Sequence, residues 1–220
     1  MQKTALILGA TGLVGGHLVR LLLDDDRYGG VTIFVRRPAG IRHPALQERI
    51  VDFEDSASWR DLLSGDVLFS CLGTTIKKAG TRELQYRTDY SYQFETAAAA
   101  AERGVATYVL VSSSGADPHS RIFYSRMKGE LDRDIQRLPF QTIGIVKPSV
   151  LVGERREKRP GEAAAIVLGK MAAALIPPLR KYRPIPAEVV ARAMIEAAEH
   201  SERGIREYEL EAVFTLGNRR

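Results

Sequence analysis

Short apolar runs alternate with stretches of helical periodicity along the first two thirds of the chain. Strands are predicted where a run is continuously apolar, and helices where apolar positions recur every three or four residues. The predicted strands span residues 4–8, 31–35, 50–51, 67–70, 107–111 and 142–146. The predicted helices span residues 14–23, 58–63, 81–102 and 122–137. This alternation predicts an α/β fold with a doubly wound, mostly parallel sheet.

The pattern loosens after residue 147. Residues 154–161 are charged and end with a proline and a glycine, which is typical of an exposed loop. The later predictions are a helix at 163–175, a proline-punctuated segment at 177–186, an amphipathic helix at 187–199 and an edge strand at 208–213. Since no linker or repeat interrupts the chain, we predict one domain over residues 1–220, in which 147–220 contribute a small C-terminal cap.

A glycine-rich segment, Gly-Ala-Thr-Gly-Leu-Val-Gly at 9–15, directly follows the first predicted strand and begins the first helix. Glycines there permit a tight turn and let backbone N–H groups approach a diphosphate, which the helix N-terminus also favours. The alternative is a glycine turn without a ligand, but the position between strand and helix favours a dinucleotide-binding loop. The absence of Gly-Lys-Ser/Thr counts against ATP. The residues expected to bind the coenzyme here are Gly9, Thr11, Gly12, Leu13, Val14 and Gly15.

Two arginines, Arg36 and Arg37, follow the second predicted strand, where a carboxylate would hydrogen-bond the adenosine ribose of NAD. A guanidinium pair instead binds a 2′-phosphate, which a carboxylate would repel. The alternative is a solvated basic loop end, because Arg42 and His43 lie nearby. On this feature we expect NADP(H) to be favoured over NAD(H).

Further candidates follow the third and fourth predicted strands. Asp52 and Phe53 lie where strand three meets the cleft, in position to contact the adenine. Leu72, Gly73 and Thr74 follow strand four at the carboxyl edge of the sheet, where such folds bind their ligands.

Tyr124 and Lys128 are four residues apart on a predicted helix, so both side chains lie on one face. An ammonium group beside a phenol makes the phenol a usable proton donor near neutral pH. Taken alone, the pair would be an ordinary surface tyrosine and lysine. However, Ser112, Ser113 and Ser114 follow the strand just upstream, where a hydroxyl can hydrogen-bond the same substrate oxygen. Serine, tyrosine and lysine in this order behind a glycine loop form a specific constellation.

These segments resemble the atypical branch of the short-chain dehydrogenase/reductase superfamily, and more narrowly the Tat-interacting-protein oxidoreductase family and its bacterial relatives. The resemblance runs through nearly the whole chain. Cys-Leu-Gly-Thr-Thr, within 71–80, and Arg-Pro-Gly-Glu, at 159–162, are more particular to the family than the glycine loop. The other matching segments are 9–15, 31–37, 51–54, 111–117, 124–130 and 147–153.

The resemblance implies a Rossmann fold with Tyr124 as the acid/base, Lys128 as the ribose anchor and Ser113 as the hydroxyl that positions the substrate. Ser114 is the alternative to Ser113. Asp89 stands where many members place the asparagine of a proton relay, a departure that puts the full relay in doubt.

Other coenzyme contacts follow from the same resemblance. The segment after the sixth strand, with Lys147, Pro148 and Val150, should pass beside the nicotinamide, and Ser112 is expected to contact the coenzyme.

The composition bears on the cellular compartment of the protein and on whether it binds nucleic acid or a membrane. The chain has 220 residues, a net charge of +5 and one cysteine, Cys71, which excludes an internal disulfide and fits a reducing compartment. We interpret Cys71 as a small buried residue rather than a nucleophile. Basic and acidic residues are interspersed, so no nucleic-acid surface is expected. No signal peptide is visible, and the apolar stretch 163–179 is shorter than the roughly 20 residues of a membrane span. We therefore expect a cytoplasmic protein.

The leading functional hypothesis is an NADPH-dependent reductase of a carbonyl compound. One alternative is a regulatory protein that binds NADPH without turnover, and another is an epimerase or dehydratase with a recycled coenzyme. The cap fits either a lipophilic or an acidic substrate. The apolar faces of the helices at 81–102 and 122–137 either pack on the sheet or cover a partner subunit in a homodimer.

Overall fold

The computed structural model describes residues 1–153, 182–200 and 202–219. Within them, seven parallel strands form one sheet in the order β3-β2-β1-β4-β5-β6-β9. These strands are β1 (Lys3–Leu8), β2 (Tyr28–Val35), β3 (Leu46–Ile50), β4 (Val67–Ser70), β5 (Thr107–Val111), β6 (Thr142–Lys147) and β9 (Gly204–Glu209). A separate parallel pair consists of β7 (Leu151–Val152) and β8 (Ile185–Pro186). The predicted doubly wound parallel sheet is confirmed.

The helices connect successive strands. They are α1 (Leu13–Leu23), α2 (Ile76–Ala79), α3 (Arg82–Tyr86), α4 (Tyr92–Glu102), α5 (Phe123–Ile135), α6 (Ala187–Ala198) and α7 (Glu211–Gly217). A π-helical turn, Arg87–Ser91, joins α3 to α4, so the helix predicted at 81–102 exists but is locally underwound at its centre.

Two hydrophobic cores lie on opposite faces of the sheet. Alternate residues of β1 contribute side chains to the two cores, because successive side chains of a strand point to opposite faces of the sheet. Ala5 and Ile7 pack with α1 and α6, whereas Leu6 and Leu8 pack with α4 and α5. The helices at 81–102 and 122–137 thus bury apolar faces against the sheet; the proposed homodimer remains a prediction.

The edge strands depart most from the sequence prediction. β3 begins at Leu46 instead of residue 50, and β9 ends at Glu209 instead of reaching 213. Each pairs with a single neighbour and carries several polar, exposed residues, so an apolar run does not mark it. The helix predicted at 58–63 is instead a pair of short 3₁₀ turns, Ser56–Ser58 and Arg60–Leu62.

The helix predicted at 163–175, most of the cap and the apolar stretch 163–179 lie outside the described residues. In the part of the chain that is described, no helix has the length and apolarity needed to cross a membrane.

Candidate functional site

The carboxyl ends of the central strands form the edge of the sheet at which the candidate site lies. The winding direction reverses between β1 and β4, and doubly wound sheets bind ligands in the crevice at such a reversal. Three loops meet this edge: the glycine loop after β1, residues 71–75 after β4, and the serine loop, residues 112–118, after β5.

The glycine loop is packed so closely that its glycines are sterically required. Gly9 has φ +77°, and a Cβ there would lie 2.5 Å from the carbonyl carbon of Cys71 at the end of β4. A Cβ on Gly15 would lie 2.1 Å from the carbonyl oxygen of Gly9. The Gly12 N–H donates to that same oxygen at 2.9 Å. The loop therefore presents bare backbone at the crevice.

The N-terminus of α1 is open to an anion. Gly12 occupies the N-cap without a side-chain acceptor, and the first turn holds no acidic residue. Thr11 is exposed and Val14 is buried. The Leu13 side chain packs against Gly153, where an added Cβ would lie 2.8 Å from the Leu13 Cδ1. Free amides and the positive end of a helix dipole fit a diphosphate.

Arg36 and Arg37 lie at the carboxyl end of β2, which pairs with β1. Both are exposed, and neither makes a hydrogen bond or ion pair with a described residue. The two guanidinium groups are thus available one strand away from the glycine loop.

Asp52 and Phe53 follow β3 but face different surroundings. The exposed Asp52 carboxylate accepts the N–H of Glu54 at 2.9 Å. The Phe53 ring is buried and stacks on Tyr92, with 5.4 Å between ring centroids. The Phe53 side chain thus belongs to the core, and at this position only its backbone is left for an adenine.

The loop after β4 is tied to Asp89. The Thr74 N–H donates to the Asp89 carboxylate at 2.6 Å, while Leu72 is half-buried and Gly73 is exposed. Asp89 is 1% exposed and belongs to the π-helical turn. Burial raises the pKa of Asp89, and the Lys128 ammonium and the Thr74 N–H oppose that rise. The residue that departs from the family pattern therefore lies in the site.

The serine loop lies directly against α5. Asp117 N–H donates to the carbonyl of Ser125 at 3.0 Å. A Cβ on Gly129 would lie 2.2 Å from the Asp117 carbonyl carbon, so this contact requires glycine. Ser112 is buried, whereas the half-buried Ser113 hydroxyl makes only a weak contact with the Ser114 carbonyl, at 3.3 Å. The Ser113 and Ser114 hydroxyls are both half-buried and are both open to a ligand.

Tyr124 and Lys128 lie one turn apart on α5, as predicted. Tyr124 is 41% exposed and lines a cavity of about 540 Å³ together with α3 and the loop after β4. Lys128 is buried and acts electrostatically on Asp89, Cys71 and Asp132, which places its ammonium among these groups. The helix thus carries a phenol at the cavity and a buried cation behind it.

Cys71 is partly buried as a residue, and its thiol packs inside the core. Burial raises the pKa of its thiol to about 12, and the sulfur lies 3.6 Å from that of Met194.

The segment after β6 reaches the site through its backbone. The Pro148 carbonyl accepts the Ser114 N–H at 3.1 Å, and Val150 is exposed. The Lys147 ammonium instead pairs with two carboxylates, that of Asp132 at 3.2 Å and that of Glu207 at 2.6 Å. The contact with the nicotinamide that was expected from Lys147 would therefore involve its backbone atoms, or Pro148 and Val150, instead of its ammonium group.

Sequence reasoning missed two residues here, Gly129 and Asp132. Asp132 follows Lys128 by four residues, as Lys128 follows Tyr124, so helical spacing was an available signal. Gly129 had no such signal, because its contact with Asp117 arises from the folded loop.

Comparison with known proteins supports a nucleotide-binding role. Residues 9–138 match the model of the NAD(P)H-binding family. The mitochondrial protein fmp52 of Aspergillus clavatus is 35% identical over 204 residues, covering 90% of this chain and 87% of that protein. FMP52 of Saccharomyces cerevisiae, also named mitochondrial, is 40% identical over 162 residues, covering 70% and 68%. Among solved structures, MoeE5 in complex with UDP-glucose and NAD superposes with a TM-score of 0.71 at 18% identity, over 97% of this chain and 80% of that one.

These comparisons correct the expected cellular location and limit what is established about the family and the coenzyme. The expected cytoplasmic location is wrong, because the relatives are named as mitochondrial proteins and point to mitochondria. A single cysteine fits any reducing compartment and so does not identify the cytoplasm. The relatives carry the name Fmp52 rather than that of the Tat-interacting-protein family, and the coenzyme is fixed only as NAD(P). The chain belongs to the NAD(P)H-binding family and is a relative of the Fmp52 proteins.

Proposed function

We propose that the protein is an NADP(H)-dependent oxidoreductase of the atypical short-chain type, related to the Tat-interacting-protein oxidoreductases, that reduces a carbonyl group. The observation that carries this proposal is the position of Tyr124, exposed at the cavity one helical turn from the buried Lys128. A structural tyrosine–lysine pair would not need a phenol facing a cavity and a cation enclosed behind it.

The glycine loop, the α1 N-terminus and the arginine pair would hold the coenzyme. The loop fits a diphosphate because its packing requires glycine at positions 9 and 15, and because the Gly12 N-cap leaves the first turn of α1 without a side-chain acceptor or an acidic residue. Arg36 and Arg37 would bind a 2′-phosphate. When bound there, the reduced coenzyme would supply the hydride for the carbonyl carbon, and the carbonyl oxygen would take up a proton to give an alcohol.

Three residues of the chain bind the carbonyl oxygen or take part in its protonation. The Ser113 hydroxyl donates a hydrogen bond to the carbonyl oxygen, and Tyr124 donates its proton to that oxygen. Lys128 stabilises the phenolate left behind, and the proton is then replaced from solvent at the exposed phenol. The Asp89 carboxylate accepts the Thr74 N–H and so holds the loop after β4 in place.

The proposal is tested with purified protein, NADPH and the aldehyde 4-carboxybenzaldehyde. Tyr124→Phe should lower turnover about 100-fold or more while leaving NADPH affinity nearly unchanged, because general acid catalysis contributes roughly 10²–10⁴-fold. The matched control is Tyr90→Phe, which removes a phenol bonded to Asp134 at 2.8 Å. Turnover unchanged in Tyr124→Phe would remove the phenol from the mechanism. Tight NADPH binding without turnover of any carbonyl would favour a regulatory binding protein.

A further inference from the structure

The cavity beside Tyr124 has a distinct electrostatic character. Its volume of about 540 Å³ falls in the range of small-molecule sites. Arg82 of α3 and Arg121, which precedes α5, both line it, and none of the described lining residues is acidic. Arg82 also lines the adjacent groove, where it interacts electrostatically with its sequence neighbour Glu83. The cavity itself therefore presents two positive charges and no acidic side chain among its described lining residues.

Most other arginines on this side of the sheet have acidic partners. Arg87 pairs with Glu54, and Arg103 lies 3.1 Å from Asp61. Arg82 and Arg121 form no ion pair with a described residue. Two guanidinium groups that line one cavity without an ion pair to a described residue favour an anionic ligand, since charge-assisted hydrogen bonds to a carboxylate or phosphate are the strongest that arginine makes.

The guanidinium of Arg82 is held in place before any ligand binds. It lies over the ring of Phe123, with 5.5 Å between Cζ and the ring centroid. This cation–π contact orders the side chain, so less conformational entropy is lost when an anion is bound. Phe123 directly precedes Tyr124, and Arg82, Phe123 and Tyr124 all line the same cavity.

Apolar surface completes the cavity wall. Ile76 and Ile122 are 49% and 67% exposed, although large aliphatic side chains are usually buried. Exposed isoleucines beside arginines match a ligand with an apolar body and an anionic end.

We propose that the substrate is an acidic carbonyl compound, whose anionic group binds Arg82 and Arg121 and whose apolar body covers Ile76 and Ile122. This inference rests on the proposed reductase function, and it chooses the acidic class over a purely lipophilic one.

The test compares two aldehydes of nearly equal size, 4-carboxybenzaldehyde and its neutral methyl ester, methyl 4-formylbenzoate. The wild-type protein should reduce the acid with the higher kcat/KM. Arg82→Gln and Arg121→Gln should each lower the acid-to-ester ratio of kcat/KM by roughly 10- to 100-fold, as expected for hydrogen bonds to charged groups. The matched control is Arg60→Gln, because Arg60 pairs with Glu102 at the carboxyl end of α4, away from the site edge.

Calorimetric titration of the coenzyme-free protein with 4-(hydroxymethyl)benzoate provides a readout that needs no turnover. Binding should weaken about tenfold or more in Arg82→Gln and Arg121→Gln but not in Arg60→Gln. If both aldehydes are reduced and the ester equals or exceeds the acid, the acidic class is wrong and the reductase stands. If neither aldehyde is reduced, the reductase proposal fails for these probes. Arginine-dependent binding of the carboxylate then still supports the anion site, and absent or arginine-independent binding overturns it.

Discussion

The ammonium group of Lys147 lies 3.2 Å from the carboxylate of Asp132, a contact between the end of β6 and the middle of α5. Both side chains are largely buried, with 12% and 5% exposed. Burial raises the pKa of Asp132, while the Ser112 hydroxyl and the two lysines at 128 and 147 oppose that rise. The pair ties the strand that follows the serine loop to the helix that carries Tyr124.

Breaking this pair should destabilise the fold. Lys147→Met leaves the buried carboxylate without its nearest counterion, so we expect a loss of about 3 kcal/mol in the free energy of unfolding, measured by urea denaturation. Asp132→Asn in the same chain should restore part of that loss because the uncompensated charge is gone. Strictly additive effects of the two substitutions would show that the residues do not interact.

The glycine loop predicts a contrast between adjacent glycines. Gly15→Ala would place a Cβ 2.1 Å from the Gly9 carbonyl oxygen and should reduce NADPH binding at least tenfold or prevent folding. Gly16→Ala is the control, because its Cβ would lie 3.8 Å from the nearest atom outside its own helix, the Ala10 oxygen. It should be neutral or stabilise α1 by up to about 1 kcal/mol, since alanine favours helices. Fluorescence titration and thermal melts measure both, and equal behaviour of the two variants would contradict the steric argument.

The arginine pair predicts a coenzyme preference. The wild-type protein should bind NADPH more tightly than NADH, and Arg37→Ala should remove most of that difference, roughly tenfold or more, by losing a charge-assisted contact with the 2′-phosphate. Arg42→Ala, at an exposed arginine nearby, is the control. Isothermal titration with both coenzymes decides the matter, and equal affinities in the wild-type protein would overturn the phosphate-binding role.

Asp89 predicts a pH dependence of stability. Burial raises its pKa in the folded state above the ordinary value of an aspartate, so the folded carboxyl retains its proton at pH values where the unfolded one has lost it. The stabilisation is therefore present at low pH and lost as the pH rises through the folded pKa. Asparagine keeps an oxygen for the Thr74 N–H without a charge. Asp89→Asn should consequently gain stability over the wild type between about pH 4 and pH 7.

Urea denaturation at both pH values measures this gain. The control is Asp66→Asn, which changes an exposed carboxylate that accepts the Thr4 N–H at 2.7 Å. A relative stability of Asp89→Asn that falls as the pH rises would contradict the burial argument.

Local features of the site could be predicted because they depend on residues close together in the chain. The glycine loop was recognisable from its spacing between a strand and a helix, and the pairing of Tyr124 with Lys128 from the helical repeat. The inward turn of Asp89 could not be predicted, because it depends on a π-helical turn within a segment of ordinary helical periodicity. Phe53 was expected at the adenine, but its ring stacks on Tyr92, which lies far along the chain.

The alternation of strands and helices, the glycine loop between β1 and α1 and the spacing of Tyr124 and Lys128 follow from the chain alone, since period and adjacency are properties of the chain. Folding in three dimensions brings Lys147 to Asp132, packs Asp117 against Gly129, and places Arg82 and Arg121 at the same cavity. These contacts join separate elements, and the packing of the helices on the sheet sets them rather than any local pattern.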